Sequence, residues 1–405
     1  MPKPLEGIRV LDWTIWQQGP VSTMMLGDLG AEVIKIEDRV GGDPGRGVMS
    51  IGGATTSTAG NRNYYFETNN RHKKSLTLDL KKPEGRDIVY KLIEKSDVFV
   101  QNFRKGVAGR LGLDYQTLSL HNPKLIYASA TGYGPDGPDS GEPSFDYMGL
   151  ARSGIMNAVG EPNMEPLSIT GGIADQMGAI MLAYGVVTAL FARERYGIGQ
   201  EVDSSHLGSM MALQGLNLAS RLTLGKEFRR SYRTKAPNPL WNHYKCSDGK
   251  WICLAMIQAD RYWSDLCKAL GIQHLEHDAR FAKMSDRGKH SEELIRIIDP
   301  VFASKPRDEW MQILKNGGDF IYTIVNSINE LPDDPQMIAN NYVVDYDHPS
   351  WGPTKVVGVP VRLSKTPGDP RGVAPEFGEH TENILIDLLG YSWEDIGRLK
   401  EQEVI

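Results

Sequence analysis

The sequence predicts an α/β protein with a parallel sheet and a separate, smaller α+β region. Over the first third of the chain, short apolar runs alternate with helical patterns, and strands separated by helices form parallel sheets with right-handed crossovers. After about residue 225 the pattern changes to a hairpin signal followed by several helices. A length of 405 residues accommodates two or three domains.

The first elements follow from apolar runs and helical spacing. Buried strands are predicted at Ile8–Trp13, Val33–Glu37, Leu76–Leu80, Val98–Phe103 and Leu125–Ala130. A helix is predicted at Pro20–Leu29, with proline near its first turn. A second helix is predicted at Pro83–Lys95, where Ile88, Leu92 and Ile93 recur at helical spacing.

A long, mostly apolar helix is predicted at Gln176–Tyr196. Apolar residues surround it, so we expect it to be buried on several sides. Its apolar stretch, Met177–Ala192, is shorter than a bilayer span and is followed by charged residues, so no membrane segment is predicted. A short strand at Gln200–Asp203 and a helix at Leu207–Leu224 follow.

The region at about 225–330 is predicted to be an α+β domain. Tyr244–Ser247 and Lys250–Met256 flank Asp248-Gly249, which is typical of a β-hairpin. The remaining elements are helices at Asp260–Leu270, Glu292–Phe302 and Asp308–Lys315 and a strand at Asp319–Val325. Residues 341–363 return to short strands, and helices are predicted at Glu379–Leu388 and Trp393–Glu403.

Composition excludes several classes of protein. With 45 Lys and Arg against 51 Asp and Glu, the net charge of −6 argues against a nucleic-acid binder. The three cysteines form no C-x-x-C pair, and the nine histidines show no ligand spacing, so neither a disulfide framework nor a metal site is predicted. Because Met1–Gly7 is polar and lacks an apolar signal region, we expect a cytoplasmic protein.

Charged residues cluster around the predicted strands. Arg71, Lys73 and Lys74 precede the strand Leu76–Leu80, and Lys81 and Lys82 follow it; Arg104, Lys105 and Arg110 follow Val98–Phe103. Ligands bind at the carboxyl ends of strands in open α/β sheets, so these bases indicate a polyanionic ligand such as a phosphorylated cofactor. Solvated loop charge is the alternative interpretation. A nicotinamide dinucleotide is not favoured, because Asp12–Pro20 contains no G-x-G-x-x-G.

Asp175 is a candidate nucleophile. It follows Gly171-Gly172 at the start of the long helix, where a helix N-terminus keeps a carboxylate ionised. An ordinary N-cap would look the same, and position alone leaves both interpretations open. Other nucleophile motifs are missing: there is no G-x-S-x-G elbow and no P-loop, and the local run Ser204-Ser205-His206 does not imply a triad.

Taken together, the motifs resemble those of the class III, or CaiB/BaiF-like, CoA-transferases, which include formyl-CoA and carnitine CoA-transferases. The matching stretches are Pro4–Asp12, Gln17–Pro20, Leu29–Glu37, Gly42–Gly47, Leu78–Gly85, Ser96–Gly106, Ala128–Pro138, Gly171–Gly178, Gly197–Asp203 and Gly378–Thr381. The resemblance implies a Rossmann-like large domain from residues 1–224 and 331–405, with a small α+β domain at 225–330. It also implies an interlocked homodimer, although some relatives pair two related subunits.

The resemblance further implies a mechanism. The family nucleophile falls on Asp175, which attacks an acyl-CoA to give a mixed anhydride and then an aspartyl-CoA thioester. Gln17 matches a family glutamine that donates hydrogen bonds to substrate oxygens. CoA is part of the substrate, and no cofactor or metal is implied. Succinyl-CoA is the expected donor, and an aromatic or branched carboxylic acid the expected acceptor.

Other residues are identified by the same resemblance. Positions that match CoA contacts of the family are Leu78, Lys81, Asn102, Phe103, Arg104 and Arg110. The family also has a CoA-binding arginine at the position that Asp38 occupies here, and Arg39 is the next residue. Positions expected in the substrate pocket are Trp16, Phe145, Asp146 and Tyr147. Asp146 stands where the formyl-CoA branch has a glutamate. The glycine-rich loop of that branch has no counterpart between residues 225 and 275, which disfavours formyl and oxalate groups.

Two alternatives to a CoA-transferase remain. The 2-methylacyl-CoA racemases share the fold but need two proton carriers, and Phe145 and Gln258 occupy the positions of the required histidine and glutamate. Neither side chain can act as the base, which favours a transferase. A non-catalytic subunit that binds CoA esters is the other alternative, and the presence of both Asp175 and Gln17 argues against it.

Overall fold

The computed structural model describes residues 1–405, apart from the side chain of Asn61. Strands lie at Arg9–Trp13 (β1), Glu32–Asp38 (β2), Ser50–Ile51 (β3), Ala54–Thr55 (β4), Lys73–Leu78 (β5), Val98–Gln101 (β6), Ile126–Thr131 (β7), Gln200–Ser205 (β8), Trp241–Lys245 (β9), Trp251–Ala255 (β10), Tyr322–Val325 (β11), Val343–His348 (β12) and Gly352–Val357 (β13).

Helices lie at Gln18–Asp28 (α1), Tyr64–Asn70 (α2), Pro83–Ile93 (α3), Val107–Arg110 (α4), Tyr115–His121 (α5), Asp146–Arg152 (α6), Ile155–Ala158 (α7), Ile173–Tyr196 (α8), His206–Leu213 (α9), Gly215–Leu224 (α10), Ala259–Leu270 (α11), Met284–Lys289 (α12), Ser291–Phe302 (α13), Arg307–Gly317 (α14), Pro335–Ala339 (α15), Thr381–Asn383 (α16) and Trp393–Glu401 (α17). Short 3₁₀ turns occur at Pro44–Gly47, Ala59–Asn61, Arg233–Lys235, Gln273–Leu275 and Ile328–Asp333, and a π turn, Ile384–Leu388, extends α16.

The first of two compact units contains a parallel sheet. It comprises residues 1–156, 168–226 and 335–405. Six strands form the sheet in the order β5-β2-β1-β6-β7-β8, and every pairing is parallel. The predicted parallel α/β sheet is therefore confirmed. The strand order reverses between β1 and β6, which is where open α/β sheets form a ligand-binding crevice.

Alternation along the strands builds an apolar layer on each face of this sheet. Leu11, Ile34, Leu76 and Phe99 belong to a core with α3 and the C-terminal helices. Their neighbours Val10, Val33 and Val98 belong to a second core that includes Leu182 of α8. Because both faces are covered by helices, successive apolar residues of one strand are buried on opposite faces, as in buried parallel sheets.

Helix α8 differs from the sequence prediction in two ways. It begins at Ile173, three residues before the predicted start, because Gly172 precedes it with a φ of 66°. Burial on several sides was expected, and this is wrong for the single chain: Ile180, Tyr184, Val187 and Phe191 are exposed along one face. The helix is long and apolar enough to span a membrane by length and composition alone, but its inner face packs in the core of the sheet.

The second unit comprises residues 157–167 and 227–334. Strands β9, β10 and β11 form an antiparallel sheet, and the predicted Asp248-Gly249 hairpin connects β9 to β10. The sequence carries no signal that residues 157–167 belong here. Arg230 and Arg233 hold them, because the Arg230 guanidinium donates to the Val159 and Met164 carbonyls and the Arg233 amide donates to Glu161.

Candidate active site

The candidate active site lies at the carboxyl edge of the parallel sheet, beside the reversal of strand order. A cavity of about 830 Å³ opens there between the segments that follow β1, β6 and β7. The predicted residues that line it are Trp16, Gln17, Asn102, Phe103, Arg104, Phe145 and Asp175. A neighbouring cavity of about 280 Å³ is lined by Leu78, Lys81 and Phe103. The fold thus brings most of the candidates to one edge.

Asp175 lies in the first turn of α8 with its side chain largely buried. It does not cap the helix. The Asp146 carboxylate takes that role, accepting hydrogen bonds from the Ala174 amide at 2.6 Å and the Asp175 amide at 3.2 Å. The Asp175 carboxylate is therefore free of its own helix terminus and available for other contacts.

Gln17 lies against Gly172, just before the helix that carries Asp175, and both Gln17 and Asp175 line the larger cavity. A Cβ atom on Gly172 would lie 2.4 Å from the Gln17 amide nitrogen, and the residue has a φ of 66°. Only glycine satisfies both conditions without strain. The pair of glycines before α8 thus lets the Gln17 side chain pass against the start of the helix.

Asp146 has a perturbed carboxyl group. Burial raises its pKa, the two backbone hydrogen bonds oppose this, and the nearby negative charge of Asp175 raises the pKa further, so the net value lies above the ordinary one. Two carboxylates thus share one helix start, and the amides of that helix stabilise the charge on only one of them.

His206 completes the surroundings of Asp175, and the sequence analysis did not identify it. It is the first residue of α9, directly after β8, and is 4% exposed. Its Nε2 lies 2.8 Å from Asp175 Oδ1, and its Nδ1 lies 3.2 Å from Ser144 Oγ. The only sequence signal was its position at a strand end, because residues 31 apart in the chain show no pattern that pairs them.

Tyr65 also lines the larger cavity and was missed. Burial raises the pKa of its hydroxyl, and the negative charges of Asp175 and Asp43 raise it further. The phenol therefore stays protonated and can donate a hydrogen bond into the cavity.

The loop that carries Gln17 is held in an unusual conformation. Trp16 has a φ of 66°, which is rare for a non-glycine residue, and its amide donates to Asp43 Oδ1 at 3.1 Å. The Asn102 side chain accepts from the Ile15 amide at 2.9 Å and donates to the Ile15 carbonyl at 2.7 Å. Asn102, predicted to contact CoA, is thus occupied in positioning this loop.

Buried ion pairs lie beneath the same loop. Lys35 and Asp43 are 2.8 Å apart with wholly buried side chains, and Lys35 also donates to the Thr14 carbonyl. Lys73 contacts Asp12 at 2.7 Å, and burial lowers the pKa of Lys73 to about 8. These pairs fix β1 and the loop that follows it.

Several of the basic residues that were predicted to bind a polyanionic ligand form ion pairs within the protein instead. Arg71 pairs with Asp28, Lys73 with Asp12 and Lys74 with Glu32, so none of these three faces a ligand site. Strand β5 begins at Lys73 and not at Leu76 as predicted, so these three basic residues lie at the amino end of the strand.

The remaining predicted residues lie outside the cavity linings. Arg39 is 3.4 Å from Glu403, and Arg110 and Tyr147 are exposed. The Asp146 side chain is hydrogen-bonded to the start of α8 and does not line the cavity. Among the described residues, no group of three or more His, Cys, Asp and Glu side chains is arranged to hold a metal ion.

Comparison with known proteins assigns this architecture to a family. A profile of CoA-transferase family III matches residues 5–381. The (R)-2-hydroxy-4-methylpentanoate CoA-transferase of Clostridioides difficile is 32% identical over 404 residues, covering 99% of both chains. The succinyl-CoA–D-citramalate CoA-transferase of Chloroflexus aurantiacus is 32% identical over 407 residues, covering 100% of this chain and 98% of the other.

A solved structure agrees with these matches. The crystal structure of a CAIB/BAIF family protein from Brucella suis superposes with a TM-score of 0.83 at 29% identity, covering 96% of this chain and 100% of that one. The chain therefore belongs to CoA-transferase family III and is an enzyme of the acyl-CoA:carboxylate CoA-transferase type.

Proposed function

We propose that the enzyme transfers CoA through covalent intermediates on Asp175. The observation that carries this proposal is the position of the Asp175 carboxylate. It lines the large cavity, as Gln17 does, and one of its oxygens is hydrogen-bonded to His206. A carboxylate nucleophile retains the activation of the thioester as an anhydride, so a difficult exchange is divided into easier steps.

The exchange proceeds through four nucleophilic attacks. Asp175 Oδ2 attacks the thioester carbonyl, the C–S bond breaks, and a mixed anhydride and CoA thiolate result. The thiolate attacks Cγ of Asp175 and expels the donor acid, which leaves an aspartyl-CoA thioester. The acceptor carboxylate then attacks Cγ and expels the thiolate, which gives a second mixed anhydride. The thiolate attacks the acceptor carbonyl of this anhydride, the bond from that carbon to the bridging oxygen breaks, and the new acyl-CoA and the Asp175 carboxylate result. In this proposal the Gln17 amide, which lines the same cavity, donates to the oxyanions that form on the substrates.

The geometry also argues against a racemase. That reaction needs acid and base groups on opposite sides of the substrate α-carbon. Asp175 and His206 instead contact each other at 2.8 Å, which leaves no room for a carbon between them. Phe145, which lines the cavity, cannot carry a proton.

For CoA itself, we propose that the adenine end occupies the smaller cavity. Leu78 and Phe103 provide apolar walls there, and Lys81 lines the same cavity. Arg104 lines the larger cavity and is exposed, so its guanidinium is available to a phosphate. Arg39 and Arg110 would serve as outer phosphate contacts, and the Arg39 Nε is buried without a hydrogen-bond partner.

The proposed acceptor is a carboxylic acid with a branched or aromatic side chain. Trp16 and Phe145 meet edge to face at 6.2 Å, and Phe145 is 56% exposed where it lines the cavity. The relative from C. difficile is named for a branched 2-hydroxy acid. Succinyl-CoA is proposed as the donor because it is the donor named for the relative from C. aurantiacus.

We further propose an interlocked homodimer in the cytoplasm. The exposed apolar face of α8 supports association, since such a face is expected to be covered by a partner. The free thiols of Cys246, Cys253 and Cys267 fit a reducing compartment. Residues 1–224 and 331–405 would form the CoA-binding and catalytic domain, and residues 225–330 the small domain.

The proposal is tested by intact-protein mass spectrometry with a panel of acyl-CoAs, followed by hydroxylamine trapping and peptide mapping. We expect a labile adduct on the peptide that contains Asp175, formed fastest with the true donor, and none in Asp175→Asn. An adduct on another residue would refute the role of Asp175. The absence of an adduct together with α-proton exchange in heavy water would instead support a racemase.

A further inference from the structure

His206 is fixed in place by close packing of three helices. A Cβ atom on Gly149 of α6 would lie 2.8 Å from both the Ala174 Cβ of α8 and the His206 Cβ of α9. The backbone of His206 therefore cannot shift relative to the helix that carries Asp175 without displacing α6. A buried side chain on such a rigid base is suited to hold one geometry.

The contact with Asp175 places a proton on Nε2 of the imidazole. A carboxylate oxygen accepts hydrogen bonds, so Nε2 donates to Asp175 Oδ1 at 2.8 Å. Nδ1 lies 3.2 Å from Ser144 Oγ, and the same hydroxyl lies 3.4 Å from the Phe145 carbonyl oxygen. Ser144, His206 and Asp175 thus form a chain of hydrogen bonds that ends on one oxygen of the nucleophile.

We infer that His206 is a catalytic residue that stabilises the oxyanion formed on Asp175 itself, an inference that rests on the proposed covalent mechanism. When the CoA thiolate attacks Cγ, a Cγ–S bond forms and the π electrons of the Cγ–Oδ1 bond move to Oδ1. The oxyanion collapses and expels the donor acid with the bridging oxygen. Attack by the acceptor carboxylate generates the same oxyanion before the thiolate leaves.

Only Oδ1 remains bound to Cγ through all these steps. Because the bridging oxygen departs with the donor acid and is replaced by one from the acceptor, a donor aimed at Oδ1 can serve both attacks. The Nε2 of His206 already lies on that oxygen before the reaction, which leaves Oδ2 as the attacking atom. Donors preorganised toward developing charge in a buried site contribute strongly to catalysis.

Two substitutions separate the contacts of the imidazole. His206→Gln places an amide N–H near the position of Nε2, whereas His206→Asn places it near Nδ1, within reach of Ser144 but not of Asp175. In a single turnover of the full-length enzyme with acyl-CoA, we expect His206→Asn to slow formation of the Asp175–CoA thioester about 100-fold. His206→Gln is expected to stay within about tenfold of the wild type. The dissociation constant for acyl-CoA should not change in either variant.

The outcomes distinguish this inference from the proposed function. If the wild type forms no adduct on Asp175, the covalent mechanism itself fails. If the wild type forms the adduct and His206→Asn forms it equally fast, the inference alone is overturned. Equal slowing of both variants would assign His206 a packing role and would also overturn it.

A milder variant covers the case in which substitution of His206 prevents folding. Ser144→Ala removes the hydroxyl that orients the ring and leaves the contact with Asp175 in place. We expect thioester formation to slow several-fold with an unchanged thermal unfolding temperature. An unchanged rate in Ser144→Ala would contradict the proposed chain of hydrogen bonds.

Discussion

At the residue scale, the site depends on how two carboxylates share one helix start. Asp146 accepts from the backbone amides of Ala174 and Asp175, and the nucleophile candidate is thereby placed next to a second negative charge. The pKa of Asp146 is raised by burial, and the charge of Asp175 adds to this effect. Asp146 therefore accepts the hydrogen bonds of the helix start, while the negative charge of Asp175 opposes the ionisation of Asp146 itself.

Two substitutions of Asp146 separate these effects. Asp146→Ala removes the acceptor, and we expect it to cost about 1 kcal/mol, the usual value of a helix cap, and to lower kcat by displacing the first turn of α8. Asp146→Asn keeps an acceptor oxygen and should retain more stability. Urea unfolding and steady-state kinetics of both variants provide the measurement, and equal stability of the two would argue against a capping role.

The raised pKa of Asp146 also predicts a dependence on pH. Because the folded state binds this proton more tightly than the unfolded state, Asp146 favours folding below its ordinary pKa. That contribution is lost as the pH rises through the raised value. Asp146→Asn should remove this contribution to the pH dependence of the free energy of unfolding in mildly acidic solution. An unchanged pH dependence would contradict the raised pKa of Asp146.

Sequence reasoning identified Asp175 and Gln17 but not His206. The two former residues lie in local motifs, a glycine pair before a helix and a segment after the first strand. The role of His206 depends on packing between α8 and α9, and no local spacing encodes the 2.8 Å contact. Lys73 was misassigned for a different reason: β5 begins three residues before the predicted strand, which moves this lysine from a loop into the buried network.

At the element scale, the loop between β1 and α1 is the part of the site that depends most on its neighbours. Trp16 keeps a φ of 66° only because surrounding groups hold the loop, among them Asp43 and Asn102. The strands on either side were predictable from their apolar runs. The loop conformation was not, since it depends on side chains from three separate segments.

Asn102→Ala tests this support. It removes both hydrogen bonds to Ile15, so we expect a loss of about 1–3 kcal/mol of stability. Release of the loop should also lower kcat about tenfold, because a small displacement of a positioning group is costly to catalysis. Asn102→Asp is the matched control, since it retains the acceptor for the Ile15 amide but loses the donor. An unchanged kcat in Asn102→Ala would show that the loop holds its conformation without this side chain.

At the scale of the whole molecule, the parallel sheet and the hairpin of the second unit followed from the sequence, whereas the environment of α8 did not. An apolar helix can be covered by its own chain or by another, and composition does not distinguish the two. In the single chain, Ile180, Tyr184, Val187 and Phe191 form an exposed stripe at helical spacing. A surface of this kind is typical of an interaction site.

The proposed dimer makes this stripe an interface, and a pair of charges would disrupt it. Tyr184 and Phe191 are 65% and 62% exposed, so Tyr184→Glu with Phe191→Glu should leave the fold of the single chain intact. If this face is buried in a dimer, the two unpaired carboxylates would weaken the free energy of dimerisation by several kcal/mol each, at least about 6 kcal/mol together. We therefore expect light scattering to show a monomer. Leu120→Glu is the control, because Leu120 lies on α5 and is 82% exposed. A double variant that remains dimeric would exclude this face, and loss of activity only on dissociation would show that the site needs the partner chain.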